Sequence, residues 1–210
     1  MEHQLTVKKT ARYYTYGNPE KANHVWFVLH GYGQLAYFFL RKFHALDPDH
    51  HFIVAPEGMH RFYLNGTSGR VGASWMTKEA RLDDISNNHD FLDDLSNRIT
   101  EQYTFEKRTI LGFSQGGATA ARWHQKSKIV ADQLVLWASV FPDDVEKPTD
   151  SLRFKNSSNH FVIGKEDPYF KLKYAEIIND YKSKIPGINL LEFDGQHDIH
   201  KETLLKLAQL

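Results

Sequence analysis

The 210-residue chain contains no cysteine, which excludes a disulfide framework, thiolate metal sites and a cysteine nucleophile together. It also lacks net charge, because 26 Lys and Arg balance 26 Asp and Glu. With no long basic run, that balance implies no nucleic-acid partner. No uninterrupted apolar stretch approaches the ~18 residues of a membrane span. The first nine residues carry no apolar run of the signal-peptide kind. These absences lead to the expectation of a cytoplasmic protein with no integral membrane association. Repeats, low-complexity tracts and linkers are missing as well, so a single domain over 1–210 is expected.

What is present is an ordinary globular balance, 41% hydrophobic and 25% charged, with a generous aromatic share of 13%. Short apolar runs recur at residues 25–29, 51–55, 109–113, 133–137, 160–164 and 189–193. Their near-continuous hydrophobicity fits central parallel strands covered on both faces. Segments with helical spacing lie between them, at 35–46, 84–103, 115–128, 169–184 and 199–210. Pro168 and Pro186 mark turns around the fourth. Alternating strands and helices predict an α/β fold with a mostly parallel sheet and helices on both faces. Leu5 to Tyr16 suits an exposed edge strand or hairpin. Glu57 to Asp83 reads as a long irregular excursion of the kind that builds part of a site.

The most informative string is Gly112-Phe113-Ser114-Gln115-Gly116-Gly117. A serine flanked by glycines, after an apolar strand and before an alanine-rich helix, is the nucleophile-elbow pattern of the α/β-hydrolase fold. The turn is tight, and side chains at the flanking positions would strike its neighbours. At a helix amino terminus, backbone N–H groups and the helix dipole favour developing negative charge.

A serine hydroxyl needs a base to become a useful nucleophile. In this fold the partners follow in the order serine, acid, histidine. Downstream of Ser114 stand His124, His160, His197 and His200. His124 falls inside a helix and His160 opens a strand. His197 follows a strand and the turn Asp194-Gly195-Gln196, which delivers an imidazole to the carboxyl edge of the sheet; His200 is its rival. The spacing His197-x-x-His200 suits a metal, but no third ligand accompanies it, and neither metal nor cofactor is expected. Asp167, in Gly164-Lys165-Glu166-Asp167-Pro168, leaves another strand through a glycine turn and is the expected acid. Asp143-Asp144, one strand earlier, is the alternative.

Stabilising the oxyanion takes two N–H donors. Gln115, next after the nucleophile, should supply one. The other is expected from Tyr32 in His30-Gly31-Tyr32-Gly33, where glycines permit close backbone approach. Trp75, Tyr32, Phe141 and Tyr169, together with Phe170, are candidates for lining a substrate pocket, with Trp75 facing the acyl group.

Four strings, His30-Gly31-Tyr32-Gly33, the elbow, Gly164-Lys165-Glu166-Asp167 and Gly195-Gln196-His197, resemble the signature positions of the phospholipase/carboxylesterase family. That family includes bacterial carboxylesterases and acyl-protein thioesterases. Ala55-Pro56 and Ser74-Trp75-Met76 resemble family blocks too, although Thr77-Lys78 stands where an acidic residue usually follows. The resemblance runs in order over about residues 24 to 208. It implies hydrolysis of small-molecule carboxylic esters or thioesters without a cofactor, and leaves open monomer or homodimer. An acyltransferase or peptidase using the same serine is the alternative chemistry, and a non-catalytic receptor on this fold the alternative class.

Overall fold

Segments rich in β-branched and aromatic residues, apolar on both faces, become the middle of a sheet. The computed structural model describes residues 1, 3–145, 151–185 and 187–210; Pro186, expected at a turn, lies outside the described residues. In chain order the first half runs β1 (Tyr13–Tyr16), β2 (His24–Leu29), α1 (Ala36–Leu40), β3 (His51–Pro56), β4 (His60–Asn65), β5 (Ser68–Ser74) and α2 (Arg81–Gln102). The second half runs β6 (Lys107–Phe113), α3 (Gln115–Lys126), β7 (Gln133–Trp137), α4 (Leu152–Lys155), β8 (Ser158–Gly164), α5 (Tyr174–Lys184), β9 (Asn189–Phe193) and α6 (Lys201–Ala208).

Seven strands form one sheet in the order β1-β3-β2-β6-β7-β8-β9. All neighbours are parallel except β1, which runs antiparallel to β3. Every residue of β2 and β7 is buried, as two-sided covering by helices requires. The sequence order reverses between β2 and β6, and ligands of open α/β sheets bind outside the carboxyl ends of strands at such a switch point. His30 follows β2 and Ser114 follows β6, so both motifs stand at that point.

Two expectations need correction. Of Leu5 to Tyr16, only Tyr13–Tyr16 becomes a strand, the part that pairs with β3. The stretch from Glu57 to Asp83 is not irregular: β4 and β5 make an antiparallel hairpin. Its signal is weak because most of its residues are exposed, so no clean alternation marks it. Gly66, with φ of 62°, supplies the left-handed residue that its turn needs.

A polar chain crosses the amino-terminal half of the sheet. His24 Nε2 lies 2.7 Å from Thr109 Oγ1, which donates to Gln133 Oε1 at 2.9 Å. Ser158 Oγ stands 2.9 Å from His160 Nε2. Burial, with the positive charge of Lys107 and His51 behind it, pushes the His24 imidazole down to about 3. Burial likewise pushes His124 and His160 down to about 4. All three are neutral in the folded protein at neutral pH. Unfolded, they titrate near ~6.5. Between those values the unfolded chain binds protons that the folded one refuses, so their stabilisation is complete above ~6.5 and falls as pH drops toward ~4. Each imidazole contributes a slope of up to about 1.4 kcal/mol per pH unit. The urea midpoint should therefore fall clearly from pH 7.5 to pH 5; a midpoint that stays level would contradict this assignment.

Candidate active site

Strand β6 ends at Phe113 and α3 begins at Gln115, leaving one residue for the whole reversal. Ser114 makes it with φ of 53° and ψ of −120°, a strained conformation for a residue with a side chain. The turn is feasible only because α3 lies almost on the strands. A Cβ on Gly116 would stand 2.3 Å from the Leu29 carbonyl oxygen, and one on Gly117 would stand 2.3 Å from Ser139 Cβ. Gly31 is equally close on the other side, since a Cβ there would lie 3.2 Å from Ser114 Cβ. The loop after β2 thus flanks the serine.

The candidate acid and base arrive from β8 and β9. Asp167 is fully buried, and its Oδ2 meets His197 Nδ1 at 2.6 Å. Its Oδ1 accepts the Tyr169 N–H at 2.9 Å. A buried carboxylate requires such partners, and this pair fixes the imidazole with Nδ1–H toward the acid. The two loops hold each other: Lys165 N–H donates to Phe193 O and Glu166 N–H to Gly195 O, each at 3.0 Å. Trp137 Nε1–H donates to Asp198 O at 3.0 Å, anchoring the loop of His197 to the end of β7. The His197 ring packs 4.7 Å from the ring of Phe113, the residue before the serine, and 4.6 Å from Tyr169. Among the described residues no hydrogen bond closes between Ser114 Oγ and His197 Nε2; in ligand-free sites this contact is often long and tightens with substrate.

The rival residues are engaged elsewhere. Asp144 forms a two-pronged bond with Arg122, and Asp143 pairs with Lys184. The two other carboxylates of these loops are also paired, Glu166 with Lys171 and Asp194 with Lys165. His200 precedes α6, bonds Thr203 Oγ1 and Glu202, and stacks on Phe193 with ring centroids 4.9 Å apart.

In the loop after β2 the backbone donors on either side of Tyr32 are engaged. Gly31 N–H is taken by Gln34 Oε1 at 2.9 Å and Gly33 N–H by Ala73 O at 2.8 Å. Gln34 N–H goes to Gly31 O at 3.2 Å. Among the described residues, Tyr32 N–H and Gln115 N–H have no acceptor within the chain. Both belong to the loops that flank Ser114.

The pocket candidates divide. Tyr32 and Tyr169 are exposed, Tyr32 beside the Phe62 ring at 5.1 Å and Tyr169 beside His197. Trp75 does not face an acyl site: it is fully buried, donating its indole N–H to His30 O at 2.8 Å. Phe141 is also core, packed against Phe154 and Tyr181. Both run against expectation because an aromatic after a strand is as well placed to fill the interior as to line a cleft. Sequence reasoning missed the side chains of Gln34 and Gln115 and the buried ring of His30. Only proximity to the glycine motifs could have signalled them.

No family model matches the chain, and no curated protein matches it. Solved structures do. A carboxylesterase from Mesorhizobium loti superposes with a TM-score of 0.73 at 15% identity, covering 95% of this chain and 93% of that one. Acyl-protein thioesterase 2 from Zea mays gives 0.70 at 17% identity, over 95% and 97%. A phospholipase/carboxylesterase from Dyadobacter fermentans gives 0.62 at 15% identity, over 98% of each chain. The chain has the α/β-hydrolase fold. The packing of the elbow in this fold is directly testable. Gly117→Ala should destabilise by about 1–3 kcal/mol, the cost of overpacking, despite alanine's better helix propensity. Adding Ser139→Gly removes the obstructing atoms, so the double variant should lose less than the two single losses combined. Strict additivity in urea unfolding would show that the crossing is looser than described.

Proposed function

We propose that this protein is a serine hydrolase of the phospholipase/carboxylesterase family, one domain over 1–210, cleaving small-molecule carboxylic esters or thioesters. The observation that carries the reading is the buried Asp167 carboxylate bonded at 2.6 Å to His197 Nδ1, beside a strained elbow serine. That bond leaves Nε2 as the imidazole's remaining basic atom. In the proposed cycle Ser114 Oγ attacks the carbonyl carbon while Nε2 takes its proton. The imidazolium so formed is stabilised by Asp167. The carbonyl oxygen becomes an oxyanion held by Tyr32 N–H and Gln115 N–H. Collapse expels the alcohol or thiol, which takes the proton back from His197. Water then repeats the sequence on the acyl-enzyme, releasing the acid and restoring Ser114.

A cleft of ≈ 440 Å³ adjoins Tyr32 and is lined by Phe62, Ser74, Thr77, Ala80 and the Asp84–His60 pair. Its mostly apolar walls suit one substituent of the ester. Phe62→Ala should raise KM for esters with a bulky apolar acyl group about tenfold, the scale of lost pocket contacts, with acetate esters unaffected. Equal effects on both would place the acyl group elsewhere.

The mechanism is tested by Ser114→Ala, His197→Ala and His200→Ala assayed on p-nitrophenyl esters. The first two should lose at least about 10³-fold in kcat, and His200→Ala should stay within twofold of the parent. Fluorophosphonate should label the parent and not Ser114→Ala. Undiminished turnover by Ser114→Ala would refute the proposal.

A further inference from the structure

The two proposed oxyanion donors come from different loops, one after β2 and one after β6. Hydrogen bonding within each loop does not fix the distance between them. A buried side chain does. Trp75, at the end of β5, reaches both loops at once. Its backbone N–H donates to Gln115 Oε1 at 3.1 Å, and its indole N–H donates to His30 O at 2.8 Å. The indole also lies against the His30 ring, with centroids 5.1 Å apart and planes 31° apart. Both residues are fully buried.

Each end of this bridge is itself held. Gln115 Nε2 donates to Met76 O at 2.9 Å, so the amide grips the chain on either side of Trp75's carbonyl. On the far side, the Trp75 carbonyl accepts Asn88 Nδ2 from α2 at 2.7 Å. Within the other loop, His30 Nδ1 bonds Gly31 O at 2.8 Å while its Nε2 accepts Gly58 N–H at 3.0 Å. These bonds require the neutral Nδ1–H tautomer, and burial pushes the imidazole down, toward that neutral form. The hairpin adds a second tie, since Ala73 exchanges hydrogen bonds with Gly33 and Gln34.

We infer that Trp75 is a positioning residue that sets the separation of the two oxyanion donors, acting through Gln115's side chain and His30's carbonyl. This rests on the hydrolase reading above. The consequence is specific. An oxyanion hole is complementary to the oxygen of the tetrahedral state, not to the ground-state carbonyl. Loosening the bridge should thus cost turnover and transition-state affinity while leaving substrate binding alone.

The decisive variant is Trp75→Phe, which keeps a ring and the backbone bond but deletes the indole donor. Its kcat should fall about tenfold, less than the loss of a whole donor, with KM within twofold. Inhibition by a trifluoromethyl ketone, which forms the tetrahedral adduct, should weaken by the same factor. Trp123→Phe is the control: it deletes an equally buried indole bond, to Asp93 Oδ1 at 2.9 Å, away from the loops. It should lower the melting temperature and leave kcat and the inhibitor within twofold. Should Trp75→Phe fail to fold, Gln115→Met cuts the bridge at its other end, keeps the backbone donor, and should show the same pattern. Unchanged kcat and inhibitor affinity in the folded variant would overturn the inference, as would equal kcat losses in Trp75→Phe and Trp123→Phe. A parent protein neither active on esters nor labelled by fluorophosphonate would remove the hydrolase reading, and this inference with it. An active parent with an indifferent Trp75→Phe removes the inference alone.

Discussion

The site depends on how closely α3 crosses β2 and β6. A helix cannot normally approach a strand to the point where a Cβ would meet a carbonyl oxygen at 2.3 Å, as it would at Gly116. Removing that Cβ lets the helix begin immediately at the strand's end, and the single residue between them must take a positive φ. Ser114 pays in backbone strain, on the order of 1–3 kcal/mol. The strain is sustained by what surrounds it: Ser114 N–H donates to Trp137 O and Ser114 O accepts Gly117 N–H, so the turn is fixed at both ends. The partial exposure of the serine, the freedom of the Gln115 N–H and the contact with Gly31 all follow from that one crossing.

A second constraint sorts the histidines. A buried imidazole must spend its nitrogens on partners or lose its charge, and most of those at hand do one or both. His30 has both nitrogens engaged. His24 and His160 sit in the polar chain across the sheet's amino half, held neutral by burial. His200 divides its two nitrogens between Thr203 and Glu202. His197 alone of these is bonded through one nitrogen to a fully buried carboxylate while its ring rests against the elbow. Asp84 and His60 form a second carboxylate–imidazole pair at 2.8 Å, but His60 is exposed on the β4–β5 hairpin, and among the described residues no ring contact joins it to Phe113 at the elbow.

Much of this was legible in the sequence because it rests on strong local signals. Five of the six strands visible as apolar runs, β2, β3, β6, β7 and β8, lie inside the sheet, where burial on both faces leaves little choice of residue, whereas β9 forms its edge and is only partly buried. Ser114, Asp167 and His197 stood out because each leaves a strand through a glycine-containing turn at the carboxyl edge. The hairpin from β4 to β5 was not legible, because exposed strands lack the alternation that burial imposes. The direction of Trp75 was not legible either. The same string, Ser74-Trp75-Met76, is compatible with an indole turned to a cleft or under a loop. Only the position of the His30 carbonyl decides between them.

That position also explains why the buried indole belongs to the site although it cannot touch a substrate. Phenylalanine in its place would fill the interior nearly as well, since packing needs only the ring. A phenyl ring could not satisfy the His30 carbonyl, and an unpaired buried carbonyl would cost about 1–3 kcal/mol. The loop after β2 would recover some of that cost by shifting toward a new partner. Its freedom to shift is limited on three sides: by Ser114 against Gly31, by Ala73 against Gly33 and Gln34, and by Gly58 against the His30 ring. None of these contacts uses the Tyr32 N–H. Its neighbours Gly31 and Gly33 both have their N–H groups engaged, so the donor between them stays available in the loop that flanks the serine.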